Sequence, residues 1–238
     1  MNGSAWTWLH PFSPRSINCA DLDGSGADDL IMDFGADGIW AHRNGSTWDQ
    51  LHSLQAERIA VADVDGNGRD DVIIDFGPQY GVWILRDGNT WSFLTGASTD
   101  LMIAADIDGN GKDDVVVTVT SQPGLWVWLN DTSWLQIHAL SPPRVAAGDT
   151  TATGRDALII DFGSPYGIWE YRHGAPWVLL HPLSAQRLVA ADLNASGKAD
   201  IVIDFGAPYG IWVWKDDAAW LQLHPLSSVS MQAGEIVR

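Results

Sequence analysis

Two series of tryptophans recur along the chain at a fixed step, and a fixed step decides the architecture before any local structure is considered. One series runs through Trp40, Trp83, Trp126, Trp169 and Trp212, each 43 residues after the last. The other runs through Trp6, Trp48, Trp91, Trp134, Trp177 and Trp220, with one step of 42 and four of 43. The short step is a one-residue deletion in the first unit, which reads DFGADGIW from Asp33 where the second reads DFGPQYGVW from Asp75. Five copies at about residues 17–58, 59–101, 102–144, 145–187 and 188–230 fill nearly the whole chain. No composition shift marks a linker, so residues 1–238 read as one domain.

Each copy contains four short runs of strand character. In the second copy these are residues 59–62, 72–76, 81–85 and 90–94, separated by DGNGRD, GPQY and RDGN. Those turns are rich in residues that accept the positive φ of tight hairpins. In the third run Trp126 and Trp128 share one face and Leu125 and Val127 the other, so both faces are apolar and both must be covered. Four antiparallel strands per 40 to 50 residues is the signature of a propeller blade. The predicted fold is therefore all-β, a five-bladed β-propeller of four-stranded antiparallel blades. A buried Trp covers ~150–250 Å², an upper-bound gain of roughly 4–6 kcal/mol at ~25 cal/mol per Å², and the periodic tryptophans are expected to be blade-to-blade packing.

The outer-strand motif W-x-x-L-H occurs six times, counting the diverged WSFLT at Trp91, against five sets of inner strands. The surplus copy at 5–10 is expected to complete a blade by terminal strand exchange, which would remove an open edge. The tail at 231–238 could begin another unit, so a longer array, or a ring completed by a second chain, stays open; the second case makes a homo-oligomer possible.

The formal charge of −17, with 13 basic residues scattered among 30 acids, excludes the clustered positive surface that nucleic acid requires. It also disfavours anionic membranes, and no 18-residue apolar run is present to insert in one. Cys19 is the single cysteine, so no disulfide framework is expected. The first ten residues have no basic segment followed by an apolar one, so no signal peptide is expected and the compartment is left open.

Much of the acid lies in a nine-residue turn after the first strand of each copy: DLDGSGADD from Asp21, DVDGNGRDD from Asp63, DIDGNGKDD from Asp106, DTTATGRDA from Asp149 and DLNASGKAD from Asp192. Alternate oxygens folded by glycines around a hard cation follow the logic of a calcium loop. The alternative is a metal-free turn in which Asp side chains accept backbone N–H groups. Together with DFGPQYG, DFGSPYG and DFGAPYG, these hairpins resemble the FG-GAP/VCBS repeat family over all five copies. That resemblance implies a β-propeller, calcium in the hairpins and, in many members, an extracellular or cell-surface adhesive role. Similar repeats build lectins of the Psathyrella velutina type and integrin heads. Carried over, the calcium ligands would be Asp21, Asp23, Ser25 and Asp29; Asp63, Asp65, Asn67 and Asp71; and Asp106, Asp108, Asn110 and Asp114. The fourth hairpin, with Thr151 and Ala157, should not bind; the fifth, with Asn194, is marginal. Three carboxylates at best imply weak affinity, on the order of 10⁻⁴ to 10⁻³ M.

Catalysis normally converges two or three groups at one place, and no G-x-S-x-G, H-E-x-x-H or phosphate loop breaks the repeat. The chain is not expected to be an enzyme. Repeated weak sites suit a repeated ligand, which points to glycans or glycoproteins. Tyr80, Tyr166 and Tyr209 in the second-to-third strand loops offer aromatic platforms for a sugar, and the HPLS loops at His181 and His224 are the alternative place for the site. The plainer role for each Tyr is a rim residue covering the next blade, and for each His a bond to a neighbouring blade's backbone. A multivalent lectin is the leading reading; a protein-protein interaction or adhesion module, and an accessory domain of a larger secreted protein, are the alternatives. The sugar is not named by the sequence.

Overall fold

The protein is described here by a computed structural model over residues 7–232. Twenty strands form five antiparallel sheets of four, each from strands consecutive in the chain. The blades are β1–β4 (Ser16–Ala20, Asp29–Asp33, Ile39–Arg43, Thr47–His52), β5–β8 (Arg58–Ala62, Asp71–Asp75, Val82–Arg86, Thr90–Thr95) and β9–β12 (Leu101–Ala105, Asp114–Val119, Gln122–Leu129, Ser133–His138). Then come β13–β16 (Arg144–Gly148, Ala157–Asp161, Ile168–Tyr171, Val178–His181) and β17–β20 (Arg187–Ala191, Asp200–Asp204, Ile211–Lys215, Ala219–His224). The all-β class and the four-stranded antiparallel blades are as the repeat predicts. No helix among the described residues is long and apolar enough to cross a membrane.

The second strand of each blade explains the stability of the unit. DVIID and DIVID are buried at every position, and a strand apolar on both faces must lie inside a sheet covered on both sides. Aspartates close these runs while buried, which is tolerable only because each is hydrogen-bonded. Asp29, Asp114 and Asp200 accept the backbone N–H of Asn44, Asn130 and Asp216 in the third-to-fourth strand turn, at 2.8, 2.7 and 2.7 Å. At the other end Asp33, Asp75, Asp161 and Asp204 accept the N–H of the glycine two residues on, at 2.8, 2.8, 2.9 and 2.8 Å.

The described residues form two compact units. One comprises the chain up to Val61 with Arg69–Gly96, and its core holds Leu22, Ile31, Ile39, Val72 and Ile74. The other comprises Ala62–Gly68 with the chain from Ala97 on; its two clusters centre on Ile107, Val116, Leu158 and Ile160, and on Ile159, Ile168, Ile201 and Ile203. The centres of these cores are aliphatic and no described tryptophan is fully buried, but Trp91, Trp177, Trp212, Trp214 and Trp220 pack against them from the side, so the tryptophans join the packing at its edge. Stiff β-branched side chains fill the centres, and the indoles stand on the third strands and on or next to the outer ones.

Successive hairpins are joined by a two-bond clasp. Asp70 donates its N–H to the Asp21 carbonyl at 2.9 Å, and its Oδ2 accepts the Asp21 N–H at 2.7 Å. Asp113 with Asp63 and Asp156 with Asp106 repeat it, whereas Ala199 keeps only the backbone bond, to Asp149. Asp70→Ala is expected to cost about 1–2 kcal/mol by orphaning one donor, read as a lower melting temperature with unchanged circular dichroism at 20 °C.

The terminal strand exchange expected to complete a blade is not among these pairings. Residues 7–10 of the surplus outer-strand copy form no strand; Trp6 and the tail from 233 lie outside the described residues. His10 instead stacks on the first blade, at 4.5 Å from Phe34 and 5.2 Å from Trp48.

Candidate binding site

The arrangement around His10 recurs wherever one repeat hands over to the next within a unit. His52 meets Phe76 and Trp91, His138 meets Phe162 and Trp177, and His181 meets Phe205 and Trp220. The imidazole-to-phenyl centroid distances are 4.5, 4.5 and 4.4 Å, and imidazole to indole 5.4, 5.6 and 5.4 Å. The histidine ends the outer strand of one blade, the phenylalanine follows the second strand of the next, and the tryptophan stands on that blade's outer strand or, for Trp177, immediately before it.

Two of these stacks open into cavities. One, of about 320 Å³, is lined by His138, Leu140, Phe162, Tyr166, Trp169 and Trp177. The other, of about 200 Å³, is lined by His181, Leu183, Phe205, Tyr209, Trp212 and Trp220. The lining is the same six residue types in the same order, supplied by the third and fourth repeats in one case and the fourth and fifth in the other. The predicted Tyr166, Tyr209 and His181 are thus brought into neighbouring cups, with the tyrosines about half exposed at the mouth (54% and 51%) rather than covering a blade. Tyr80, 47% exposed, stands in the corresponding loop beside the His52 stack. His224 is exposed, lines neither of these cavities and has no aromatic partner among the described residues.

Local bonds shape each cup. The carbonyls of Tyr80, Tyr166 and Tyr209 accept the indole N–H of Trp83, Trp169 and Trp212, each at 2.9 Å, so the loop bearing the tyrosine is tied to the indole beneath it. A glycine precedes each third strand because that loop crosses the end of its own outer strand. At Gly167 and Gly210 φ is +78° and +75°, and a Cβ would collide with the carbonyl of His181 or His224. Each histidine Nδ1 accepts the N–H two residues on, from Leu54, Leu140 and Leu183, at 3.1, 3.1 and 3.2 Å. The bond is thus local and does not reach a neighbouring blade's backbone; it places the proton on Nε2. Burial holds His52 and His181 below the ordinary histidine value.

The linker carrying the histidine is fixed from below. Asp161 Oδ2 accepts Ser184 Oγ at 2.9 Å and the Ala185 N–H at 3.0 Å; Asp204 Oδ2 accepts Ser227 Oγ and the Ser228 N–H at 2.7 and 2.8 Å. Burial pushes Asp204 up, yet these donors and the Gly206 N–H outweigh it and bring its pKa to about 2. Sequence reasoning missed these aspartates, and the phenylalanine, leucine and tryptophans of the cups. One signal was available: at the change from second to third repeat, Thr95, Val119 and Pro123 replace the histidine, the phenylalanine and the loop tyrosine together.

The acidic hairpins lie at the opposite ends of the strands. Their first Asp caps its own turn in every copy. Asp21 accepts the N–H of Ser25 and Gly26, Asp63 that of Gly66, Asn67 and Gly68, Asp106 that of Gly109, Asn110 and Gly111, Asp149 that of Thr151 and Gly154, and Asp192 that of Ser196 and Gly197. That position is therefore structural with or without metal, and the third and ninth positions discriminate. In the third hairpin, ligand atoms of Asp106, Asp108 and Asp114 lie within 4.8 Å of one another. Asp108 Oδ1 is shut from solvent with no hydrogen-bond partner among the described residues. Burial pushes Asp114 up to about 6 against the N–H groups of Asn130 and Ile107, with Asp108 and Asp106 adding to the rise. An orphaned carboxylate oxygen in such a group fits a hard cation.

The other copies are distinguished by the partners their oxygens already have. Asp65 accepts the Asn67 N–H at 3.1 Å, and Asp71 heads β6, its Oδ1 accepting the Asp87 N–H at 3.0 Å. In the first hairpin Asp23 is brought to about 2, first by the Asn44 side chain and then by Ser25, and Asp29 Oδ2 already has the Arg43 guanidinium 3.8 Å away. The third-to-fourth strand turn contributes residues that the sequence reading missed. Asn130 Nδ2 donates to Asp108 Oδ2 at 2.8 Å and Asn130 Oδ1 accepts from Asn110 Nδ2, while Asp216 accepts from Asn194 and Ser196 of the fifth hairpin. The fourth hairpin is held otherwise: buried Glu170 accepts Thr150 Oγ1 at 2.7 Å and pairs with Arg172, which also reaches Asp217 at 2.7 Å. That copy carries its own cation.

No family model matches the chain, and no curated protein matches it. Solved structures do. A lectin of Agrocybe aegerita, described as recognising non-reducing terminal N-acetylglucosamine, is similar with a TM-score of 0.64 and 19% identity over 88% of this chain. BBS1N in complex with ARL6DN gives a TM-score of 0.57 and 12% identity over 90% of the chain, and the V. cholerae biofilm matrix protein Bap1 gives 0.50 and 19% over 83%. The chain spans 65% of the lectin's length, 70% of BBS1N and 35% of Bap1. At these identities the likeness is one of fold: five four-stranded blades of the β-propeller type.

Proposed function

We propose that the chain is a multivalent carbohydrate-binding protein of the FG-GAP/VCBS type, that its sugar sites are the aromatic cups between repeats, and that it binds without catalysing. The observation that carries this reading is the pair of neighbouring cavities with the same six lining residue types. Residues needed merely to hold repeats together would recur at every handover, yet the histidine, phenylalanine and tyrosine of this set are lost together between the second and third repeats while the acidic hairpins and tryptophans of those repeats stay. A cup walled by Phe, Leu and two Trp offers faces to sugar C–H groups, and His Nε2 and the Tyr hydroxyl offer polar contacts. Pockets for drug-sized ligands run to about 300–1,000 Å³, so cavities of about 320 and 200 Å³ suit the terminal end of a saccharide. The lectin of similar fold makes a terminal N-acetylglucosamine the first ligand to try, since an acetamido methyl suits apolar walls.

A glycan array probed with and without calcium tests the reading, with binding to terminal acetamido sugars expected. A folded sample that retains no glycan would sink it. The second reading, a protein-interaction surface, is favoured by the exposed Val178 and Leu179 of β16 and Leu221 and Leu223 of β20, and a blank array would promote it.

Calcium is part of the proposal at the third hairpin, where Asp106, Asp108 and Asp114 would hold it; bound there, it would neutralise crowded carboxylates and stiffen the turn. Calcium at some tens of times its Kd is expected to add ~2 kcal/mol to stability, seen as a raised melting temperature reversed by chelator. Asp108→Asn is expected to remove most of that gain. A melting temperature indifferent to chelator leaves the self-capped turn as the whole explanation of the motif.

A further inference from the structure

We propose that the residue facing the cup tryptophan from the outer strand, Gln222 in one cup and Leu179 in its neighbour, sets how much of a saccharide chain each cup admits. This inference rests on the carbohydrate reading above and gives the two cups different ligands.

Strand register pairs Trp212 with Gln222 and Trp169 with Leu179. In the first case the lip is held twice: the Tyr209 carbonyl accepts Trp212 Nε1 at 2.9 Å and Gln222 Nε2 at 3.1 Å, which uses both lone pairs of the oxygen. In the second the Tyr166 carbonyl accepts Trp169 Nε1 at 2.9 Å, and Leu179 has no donor to add. The lip turns are otherwise alike, since the Tyr N–H bonds the carbonyl three residues back at 2.8 Å in both. The linings are of identical composition, yet the cavity beside Leu179 is about 320 Å³ and that beside Gln222 about 200 Å³. Leu179 is 48% exposed, so its identity is not imposed by the core.

The other repeats show that this position varies over a constant indole. Gln50 bonds the Asp37 carbonyl at 3.3 Å together with Trp40 Nε1 at 2.8 Å, so the double tie needs no tyrosine. Phe93 stacks edge-on against Trp83 at 5.1 Å. A fixed platform with a variable neighbour is how a repeat protein diversifies selectivity. The cup closed by Gln222 takes one terminal ring. The cup beside Leu179 admits a second ring, and the remaining lone pair of the Tyr166 carbonyl accepts a hydroxyl from it.

The test titrates the full chain with N-acetylglucosamine and with its β-linked dimer, following the indole N–H resonances of Trp169 and Trp212. At Trp169 the dimer is expected to bind about fivefold tighter than the monomer, the worth of one net hydrogen bond; at Trp212 the two should bind alike. Gln222→Leu should bring that preference to Trp212, and Leu179→Gln should remove it from Trp169. Both changes lie on the surface, and the dispersion of the remaining indole signals reports the fold. Resonances that shift with sugar but show equal ratios in wild type and variants overturn this inference alone. Resonances that no saccharide shifts overturn the carbohydrate reading and this inference with it.

Discussion

Alanine at both Tyr166 and Tyr209 is expected to reduce retention on a glycan-coated surface about a hundredfold or more, against about tenfold for either change alone. One well-placed aromatic contact is worth about 1–1.5 kcal/mol, close to a factor of ten. Linked weak sites gain about 10²–10⁴ in avidity over one site, so disabling both large cups removes more than two independent losses would. Both rings are about half exposed, and their removal leaves no hole in the aliphatic core. Surface retention and thermal melting, measured on the same samples, separate binding from stability. Unchanged retention by a folded double variant would place the site outside the cups.

Asp161→Ala is expected to produce the largest loss of stability of any single change considered, about 3–5 kcal/mol. The substitution strips the partner from the Gly163 N–H, the Ser184 hydroxyl and the Ala185 N–H at once, in a place closed to water. Arg144, 3.3 Å from the same carboxylate but 37% exposed, adds little to that figure because solvent screens it. Asp161→Asn should cost less, since one acceptor oxygen survives. The related Asp204 adds a pH signature. Its folded pKa of about 2 lies below the ordinary carboxylate value, so its stabilisation is complete above about pH 4 and is lost as pH falls from there through 2. His52 and His181, also depressed, act in the same direction from about pH 6.5 downward. Urea titrations at pH 7, 5 and 3 on wild type and Asp204→Asn check both; a midpoint that rises on acidification contradicts the sign.

The fold was legible because the repeat is explicit: a 43-residue step, strand-like runs and glycine-rich turns specify four-stranded blades without any tertiary information. The cups were half legible. Tyr166, Tyr209 and His181 stood out as polar aromatic groups in loops, whereas Phe162 and Phe205 entered only as letters of the DFG motif and drew no role of their own. What makes them walls of a cavity is their meeting with a histidine some 24 residues earlier in the chain, at the end of another blade, and pairing across blades is invisible to a pattern read along one strand. The tryptophans were legible as packing residues from their period, and five of them pack against the cores, but that stiff Ile and Val side chains fill the centre and leave the indoles at its edge was not. The final aspartate of four of the five second strands, Asp33, Asp75, Asp161 and Asp204, was missed because a carboxylate in an apolar run looks like a strand end, and only the turn N–H groups it collects reveal its purpose.

Since the imidazole comes from one module and the phenyl and indole from the next, no module carries a complete cup by itself. Tandem duplication of 43 residues therefore creates a cup at each added boundary that keeps the histidine and the phenylalanine, and a lone excised module would have none.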